Sequence, residues 1–476
     1  MSGYMPTDFG HEHLPNDGPP DPQGAAILED PPPEPPPQHQ HELSHAKLPT
    51  EILCGIFALC IAGPTEVPAN QEKSPWNLSQ VCSRWRQIAL SQHDLWSDLR
   101  FEMGGHEWDH CSSPGALYAL LMQVVLSRSA NRMLSLKFMI GHREPTKTDI
   151  YPLAGCLRVH ANRVSDMSVL EHEHEREEHP QALAFLKGTS FPNLRSMTVT
   201  VPIDDVTYYV SWSHLEHLKI SHIRTDVDIW TLYDLLERCK SLRTLASEIF
   251  YPLRWPNVIF CVCMLKLTDL VLHLTNMNGQ MLTIFFDALR LPQLMKLDLL
   301  QGEEGISWGL PLTIAITRSD HLERLLIDIH IPASDCDMLL RSLPCLVEFI
   351  LPWGAVMLDA TRQGMAHGDI APRMTKLMCG ATRSLELHLD MLEARMFRTN
   401  ATTIKDAVFV FDVSGDGFTF EKIQPEHQKR VMELKERGVN ISLVNWNEAY
   451  AVTRATFPFT RSFDWRKMVE MFQSWG

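Results

Sequence analysis

The stretch Leu291-Pro-Gln-Leu-Met-Lys-Leu-Asp-Leu299 contains the pattern that decides the fold of most of the chain. Leu294, Leu297 and Leu299 follow the template apolar-x-x-apolar-x-apolar, where x is any residue. Alternation over the last positions is typical of a strand with one buried face. The template begins at Val164, Leu194, Leu215, Leu242, Leu267, Leu294, Leu322, Leu346 and Met374.

The spacing of the template indicates a repeat architecture. Successive starts are separated by 30, 21, 27, 25, 27, 28, 24 and 28 residues, with helical stretches such as 230–239 and 281–289 between them. Spacings in this range with this template are typical of leucine-rich repeats. One strand–helix unit cannot bury its apolar face alone, so the units stack. We therefore predict an α/β fold in which residues 101–405 form an irregular leucine-rich-repeat solenoid, with parallel strands inside and helices outside.

The two ends of the chain have a different character. Residues 406–476 contain two strand-like runs, 407–413 and 440–445, on either side of a helical segment, and we predict a cap on the solenoid. Residues 1–46 are rich in Pro and His, and hold eight Asp or Glu with no Lys or Arg. Such a segment cannot bury enough apolar surface to offset its ordering entropy, which predicts a disordered tail.

Residues 47–100 predict a small all-helical domain. Leu48, Ile52, Leu53, Ile56, Phe57 and Cys60 recur at helical spacing. Pro49 suits a first helical turn, and Gly63-Pro64 ends the helix. A second helical segment runs from 76 to 90, and Leu95-Trp96 follows it.

This unit resembles an F-box. The pattern is Leu48-Pro49-x-Glu51-Ile52-Leu53-x-x-Ile56-Phe57, then Val81-Cys82-x-x-Trp85-Arg86-x-Ile88-Ala89, then Leu95-Trp96. The run Pro75-Trp-Asn-Leu-Ser-Gln-Val-Cys-Ser-Arg-Trp-Arg86 is similar to F-box-like proteins of mushroom-forming fungi. The polar insertion at 63–73 departs from that pattern and lengthens the first connection.

The resemblance implies a substrate-receptor subunit of a Skp–cullin–F-box ubiquitin ligase, with no active site of its own. The F-box would dock on a Skp-type adaptor, and through it a cullin, while the repeats bind an unknown target protein. The residues expected at the adaptor contact or in the F-box core are Leu48, Pro49, Ile52, Leu53, Ile56, Phe57, Val81 and Trp85. Two alternatives stay open: a leucine-rich-repeat scaffold outside any ligase, and an enzyme with an unrecognised site.

The charge and composition of the chain indicate which classes of partner it can bind. The formal charge is −15, of which the tail holds −8 and the run 171–179 holds −4, so the remainder is close to neutral. A near-neutral body without a basic stripe disfavours nucleic acid. No apolar run reaches the roughly 18 residues that span a bilayer, and the first residues do not predict a secretory signal. We expect an intracellular protein, cytoplasmic or nuclear, with reduced cysteines.

The sequence predicts neither a catalytic residue nor a metal or cofactor site. The Glu/His run at 171–179 lacks the His-Glu-x-x-His spacing and favours a solvated loop. Asp412-Val-Ser-Gly-Asp-Gly417 begins like a calcium loop, but position 12 is Ile423, which favours a hairpin bend. Phosphate-loop, nucleophile-elbow and dinucleotide motifs are missing.

The x positions of the template predict a target-binding face, because strand side chains alternate and the x residues point away from the core. The charges there are mixed in sign, which favours a protein partner over a phosphopeptide. A sheet face that is merely solvated is the alternative. The predicted target-binding residues are His217, Lys219, Lys296, Asp298, Arg324, Asp328, Glu348 and Lys376.

Overall fold

The structure is a computed structural model that describes residues 48–67, 72–103, 114–140, 147–171, 184–186, 188–200, 212–220, 229–250, 261–275, 279–301, 308–351, 357–381, 385–411, 423–445 and 449. Thr50–Gly476 form one compact unit. Of the other unit, Met1–Pro49, only Leu48 and Pro49 are described. The tail predicted to be disordered therefore lies outside the described residues.

Parallel strands dominate the fold. The strands are β1 (Thr65–Val67), β2 (Asp98–Met103), β3 (Leu134–Ile140), β4 (Val164–Glu171), β5 (Ser196–Val199), β6 (His217–Ile220), β7 (Thr244–Phe250), β8 (Val262–Cys263), β9 (Asp269–Thr275), β10 (Leu289–Arg290), β11 (Lys296–Gln301), β12 (Arg324–Asp328), β13 (Glu348–Ile350), β14 (Lys376–Gly380), β15 (Asp406–Phe411) and β16 (Asn440–Asn445). β8 and β10 pair with each other, and the other 14 strands form one sheet in chain order. Neighbouring strands are parallel throughout this sheet, as far as the structure describes it.

Helices supply many of the crossover connections that parallel strands require. They are α1 (Thr50–Cys60), α2 (Leu78–Val81), α3 (Ser83–Ser91), α4 (Pro114–Arg128), α5 (Lys147–His160), α6 (Ile229–Arg238), α7 (Gly279–Ala288), α8 (Leu310–Ile316), α9 (Ala333–Ser342), α10 (Asp359–His367), α11 (Leu385–Met396) and α12 (Pro425–Glu436). Two of these helices, α6 and α7, are joined by a hydrogen bond. The Tyr233 hydroxyl on α6 donates to the Phe285 carbonyl on α7 at 2.6 Å.

The apolar template positions fill the core between the sheet and the helices. Leu270, Leu297 and Leu325 occupy matching positions on β9, β11 and β12 and are 0% exposed. The residues that begin the nine templates are buried as well. The predicted α/β fold, a solenoid of parallel strands with helices, is confirmed.

The helical region before residue 100 also contributes strands. The polar insertion contains β1, which pairs with β2. The Thr65 hydroxyl donates to the Leu95 carbonyl at 2.8 Å, and the Tyr118 hydroxyl donates to the Val67 carbonyl at 3.0 Å. The insertion therefore ties the helices to the sheet in addition to lengthening a connection.

The predicted domain limits at 100 and 405 do not interrupt the sheet. β2 pairs with β3 and β14 pairs with β15 without a break. The strand–helix–strand pattern expected after residue 405 is present as β15, α12 and β16. The bend expected at 414–417 lies outside the described residues.

Candidate functional site

Helix α1 divides its apolar side chains between two faces. Leu53 and Phe57, four residues apart, are 0% exposed. The ring centroid of Phe57 lies 5.0 Å from that of Trp85 on α3. The Gln92 amide donates to the Cys54 carbonyl at 3.1 Å, which joins the end of α3 to the middle of α1. These contacts hold α1 in a fixed orientation.

A break at Cys82 allows α3 to reach α1. The sequence predicted one helical segment over 76–90, but the structure has two helices separated by Cys82, whose backbone is extended. The Cys82 Sγ accepts a hydrogen bond from the Trp85 amide at 3.4 Å and so caps α3. The Arg86 guanidinium donates back to the Ser79 carbonyl at 2.8 Å across the break.

Two tryptophans anchor the helical unit to the solenoid. The rings of Trp76 and Trp96 meet edge to face with centroids 5.1 Å apart. Trp96 is fully buried, and its indole donates to the Ala89 carbonyl at 2.8 Å. The Arg128 guanidinium at the end of α4 lies 4.5 Å from the Trp96 ring centroid, a cation–π contact.

The other face of α1 exposes large apolar side chains. Ile52, Ile56 and Leu59 are 52%, 37% and 87% exposed. Their spacing of four and three residues places them on one side of the helix, and we call them the α1 stripe. Gly55 lies on the same side, and a Cβ added there would meet no heavy atom within 4 Å. Val81, at the end of α2, is a further exposed apolar residue at 55%.

The face of the sheet opposite the template residues, which we call the second face, carries the predicted charges. Lys296, Arg324, Glu348 and Lys376 are aligned in register on β11 to β14. Lys376 pairs with Glu348 at 2.5 Å, and Lys296 pairs with Asp269 on β9 at 2.9 Å. Most of this charge is therefore balanced by neighbours within the sheet.

Three of the predicted target-binding residues are buried, which corrects the expectation that every x position faces solvent. Asp298, Arg324 and Asp328 are 5%, 8% and 2% exposed. Arg324 donates to the Asp298 carboxylate at 3.0 Å. Burial raises the pKa of Asp298 to about 6, although the paired guanidinium opposes the shift. All five residues of β12 are buried, so the second face is closed to water at this strand.

His217 and Lys219 lie on β6, in a more open part of the second face. His217 is exposed, and its Nδ1 lies 2.8 Å from the Thr244 hydroxyl of the next strand. Lys219 is half-buried, and partial burial lowers the pKa of its ammonium group to about 8.

Positions 45–102, which include the helical unit, match the F-box-like family. The chain contains an F-box-like domain. No curated protein matches the chain. Among solved structures, a chain of the crystal structure of the Rad7 and Elc1 complex in yeast has 13% identity and a TM-score of 0.37, with 84% of this chain and 93% of that chain covered.

The residues predicted for the adaptor contact or the F-box core divide into buried and exposed ones in the structure. Leu53 and Phe57 belong to its core, and Trp85 is half-buried against Phe57. Ile52, Ile56 and Val81 are exposed, as is Pro49, while Leu48 is half-buried. Which of the exposed residues bind an adaptor stays a prediction.

Sequence reasoning missed Leu59, the most exposed member of the α1 stripe. Its spacing from Ile52 and Ile56 is the signal in the sequence, because it places Leu59 on the side of α1 opposite the buried pair Leu53 and Phe57. Among the described residues no cluster of three metal-ligating side chains is found. The Glu/His run after Glu171 and the Asp412–Gly417 loop lie outside them. No helix in the described part of the chain is long and apolar enough to cross a membrane.

Proposed function

We propose that this chain is the substrate receptor of a Skp–cullin–F-box ubiquitin ligase. The F-box-like domain binds a Skp-type adaptor, and through it a cullin, while a leucine-rich-repeat solenoid holds a target protein. The observation that carries the proposal is the α1 stripe, an exposed apolar face on a rigidly held helix within an F-box-like domain.

The exposure of the stripe favours a protein partner. Fully burying a Leu or Ile side chain is worth about 1.5–3 kcal/mol. Contiguous exposed apolar surface on a helix is typical of a binding site, and a partner helix or groove would cover it. Because α1 is held by Phe57, Trp85 and Gln92, binding would require little reordering of the domain.

In this proposal the protein performs no chemistry. It raises the effective concentration of the ubiquitin-transfer machinery at a bound target. The chain acts inside the cell, in the cytoplasm or nucleus, and needs no cofactor. Support comes from the absence of catalytic motifs in the sequence and from a sheet whose second face remains partly open at β6.

Binding of a purified Skp-type adaptor by titration calorimetry tests the proposal. Ile52→Glu/Leu59→Glu should weaken binding about 100-fold, because two apolar contacts become buried charges. Gly55→Arg should also weaken binding while leaving the fold intact, since the space around Gly55 is open. The matched control is Val159→Glu on α5, where an exposed valine (74%) lies away from the F-box-like domain.

The control should bind like the wild type. Adaptor binding that survives both stripe variants would overturn the assignment of the stripe. A folded wild-type protein that binds no Skp-type adaptor would overturn the ligase proposal itself.

A second candidate is a scaffold in which the helical unit only caps the solenoid. The continuity of β1 and β2 with the sheet favours it, because the unit closes the first edge of the sheet. The same titration separates the two candidates, since a cap has no reason to bind an adaptor.

A further inference from the structure

Two exposed cysteines stand side by side at the short strand β8. Burial alternates along this segment: Val262 and Met264 are 4% and 1% exposed, whereas Cys261 and Cys263 are exposed. Because side chains alternate along an extended chain, the two thiols lie on the same side, which is the side that faces solvent. The pair therefore offers two sulfur atoms to a ligand from solution.

The backbone that carries the thiols is held by the neighbouring strand. β8 pairs in parallel with β10, where Arg290 is the register partner of Cys263. The Met264 amide donates to the Arg290 carbonyl at 2.9 Å and extends this pairing by one residue. Arg290 is exposed, and register partners in a sheet project to the same side, so its positive charge accompanies the two thiols.

The separation of the two thiols suits a bridging ion better than a disulfide. Residues two apart on a strand are separated by about 6.6 Å. A disulfide needs Cβ atoms about 3.8 Å apart, which would distort the strand. A metal ion bonded to both sulfurs at about 2.3 Å keeps the sulfurs about 4.6 Å apart, a distance that rotation of the two side chains can reach.

The ligand set indicates which ion would bind. Zn²⁺ in structural sites takes four ligands, and no group of three His, Cys, Asp or Glu side chains suited to a metal occurs in the part of the chain that the structure describes. Thiolates are soft ligands that favour Cu(I), and Cu(I) is stable with only two of them. Two thiolates and one Cu(I) carry a net negative charge, which Arg290 offsets.

We propose that Cys261 and Cys263 form a dithiolate binding site for Cu(I). Each thiol loses its proton to solvent as its copper–sulfur bond forms, and no electron is transferred. Buried cysteines suit this chemistry less well, because burial raises the pKa of the Cys239 and Cys336 thiols to about 12 and keeps them protonated at neutral pH. The proposal does not rest on the proposed ligase function.

Competition with the chromogenic chelator bicinchoninate, in the absence of oxygen, tests the site on the full-length protein. The wild type should hold one Cu(I) that Cys261→Ser/Cys263→Ser lacks, and each single variant should bind it at least about 100-fold more weakly, because the chelate is lost. The control Cys60→Ser/Cys345→Ser removes two thiols from separate parts of the chain, one exposed and one half-buried, and should bind like the wild type. Equal copper binding by the wild type and the Cys261/Cys263 double variant, or loss of that ion in the control, would overturn the proposal.

Alkylation locates the ion at individual residues. One equivalent of Cu(I) should slow iodoacetamide labelling of Cys261 and Cys263 together at least about tenfold, because a metal-bound sulfur is a poor nucleophile, and leave the labelling of Cys60 unchanged. Mass spectrometry of the peptides measures the labelling, and excess chelator should restore it. Protection of only one of the two thiols, or equal protection by one equivalent of Zn²⁺, would contradict a two-thiolate Cu(I) site.

Discussion

In β2 and β3 every second side chain is buried and its neighbours reach solvent at least partly, whereas in β12 and β15 buried residues follow one another along the strand. The local sequences differ accordingly. Asp98-Leu-Arg-Phe-Glu-Met103 alternates, while Ala407-Val-Phe-Val-Phe411 is apolar throughout. One parallel sheet thus has a second face that is partly exposed at β2 and β3 and buried at β12 and β15.

Whether an x residue is buried therefore depends on the strand that carries it, and not only on its position in the template. Thr198 on β5 and Met378 on β14 lie in the same outward row. Thr198 is half-buried and Met378 is 0% exposed. Equivalent substitutions at the two positions should therefore have very different consequences.

Substitution by aspartate at these two positions has the largest expected effect. Met378→Asp places an unpaired charge in an apolar cluster and should lower the free energy of unfolding by about 4 kcal/mol or more. Thr198→Asp should cost less than about 1 kcal/mol. Chemical unfolding followed by circular dichroism measures both, with Met378→Leu as the size-matched control. Similar losses at the two positions would show that the second face is buried at β5 as it is at β14.

The fold was largely predictable from sequence because the template leucines carry the signal at every repeat. The buried face needs only a period of two and a spacing of 21–30 residues, both visible in one chain. One structural feature was less accessible. β1 is three residues of a polar insertion, and its pairing depends on partner residues of β2 that lie 34 positions later, as Thr65 and Leu99 do.

The candidate sites were only partly predictable. Leu326, Ile350 and Met378 stand at x positions and are apolar, so the sequence already held a signal for a buried second face. The charged residues beside them favour a solvated face, and a charge in the sequence does not reveal whether its side chain is buried in the fold. The exposure of Leu59 likewise depends on which side of α1 the α3 helix occupies, a tertiary fact.

A buried arginine joins helix α11 to α10 and to the segments that lead into β14 and β15. Arg395 on α11 is 1% exposed and donates to the carbonyls of Thr402, Met365 and Ala371 at 2.8, 2.8 and 2.7 Å. Burial lowers the pKa of its guanidinium to about 10, so the group stays charged at neutral pH.

Arg395→Met removes the guanidinium donor from those carbonyls, of which Met365 and Ala371 keep a backbone N–H donor, and should lower the free energy of unfolding by about 3 kcal/mol. Arg398→Met, three residues on and exposed, should change it by less than about 0.5 kcal/mol. Thermal unfolding of the three proteins provides the measurement. A loss at Arg395 no larger than at Arg398 would mean that the carbonyl contacts contribute little.

If the proposed receptor function holds, the target protein should bind the second face where its side chains are exposed, around β6. His217→Glu/Lys219→Glu changes the charge of the open face and should weaken capture about tenfold, the scale expected for contacts worth about 1.4 kcal/mol. Glu348→Lys/Lys376→Glu exchanges the two members of an ion pair and should leave capture nearly unchanged. Pull-down with a cross-linked target reports both, while adaptor binding checks that each variant is folded. A stronger effect from the exchanged pair would move the target surface to the later strands.

The smallest expected effect is a pH dependence of the free energy of unfolding. It comes from Asp298, which lies on β11, next to the fully buried strand β12. Burial raises the pKa of its carboxyl to about 6, against about 3.9 for an unfolded aspartate. Between these values the folded protein binds more protons than the unfolded chain, so this group's contribution to stability falls as the pH rises. Relative to Asp298→Asn, the wild type should lose about 1 kcal/mol of unfolding free energy from pH 5 to pH 7. Urea unfolding at both pH values measures the difference, with Asp166→Asn at an exposed position of β4 as the control. A difference that does not change with pH would mean that water reaches Asp298, and the buried part of the second face would then begin beyond β11.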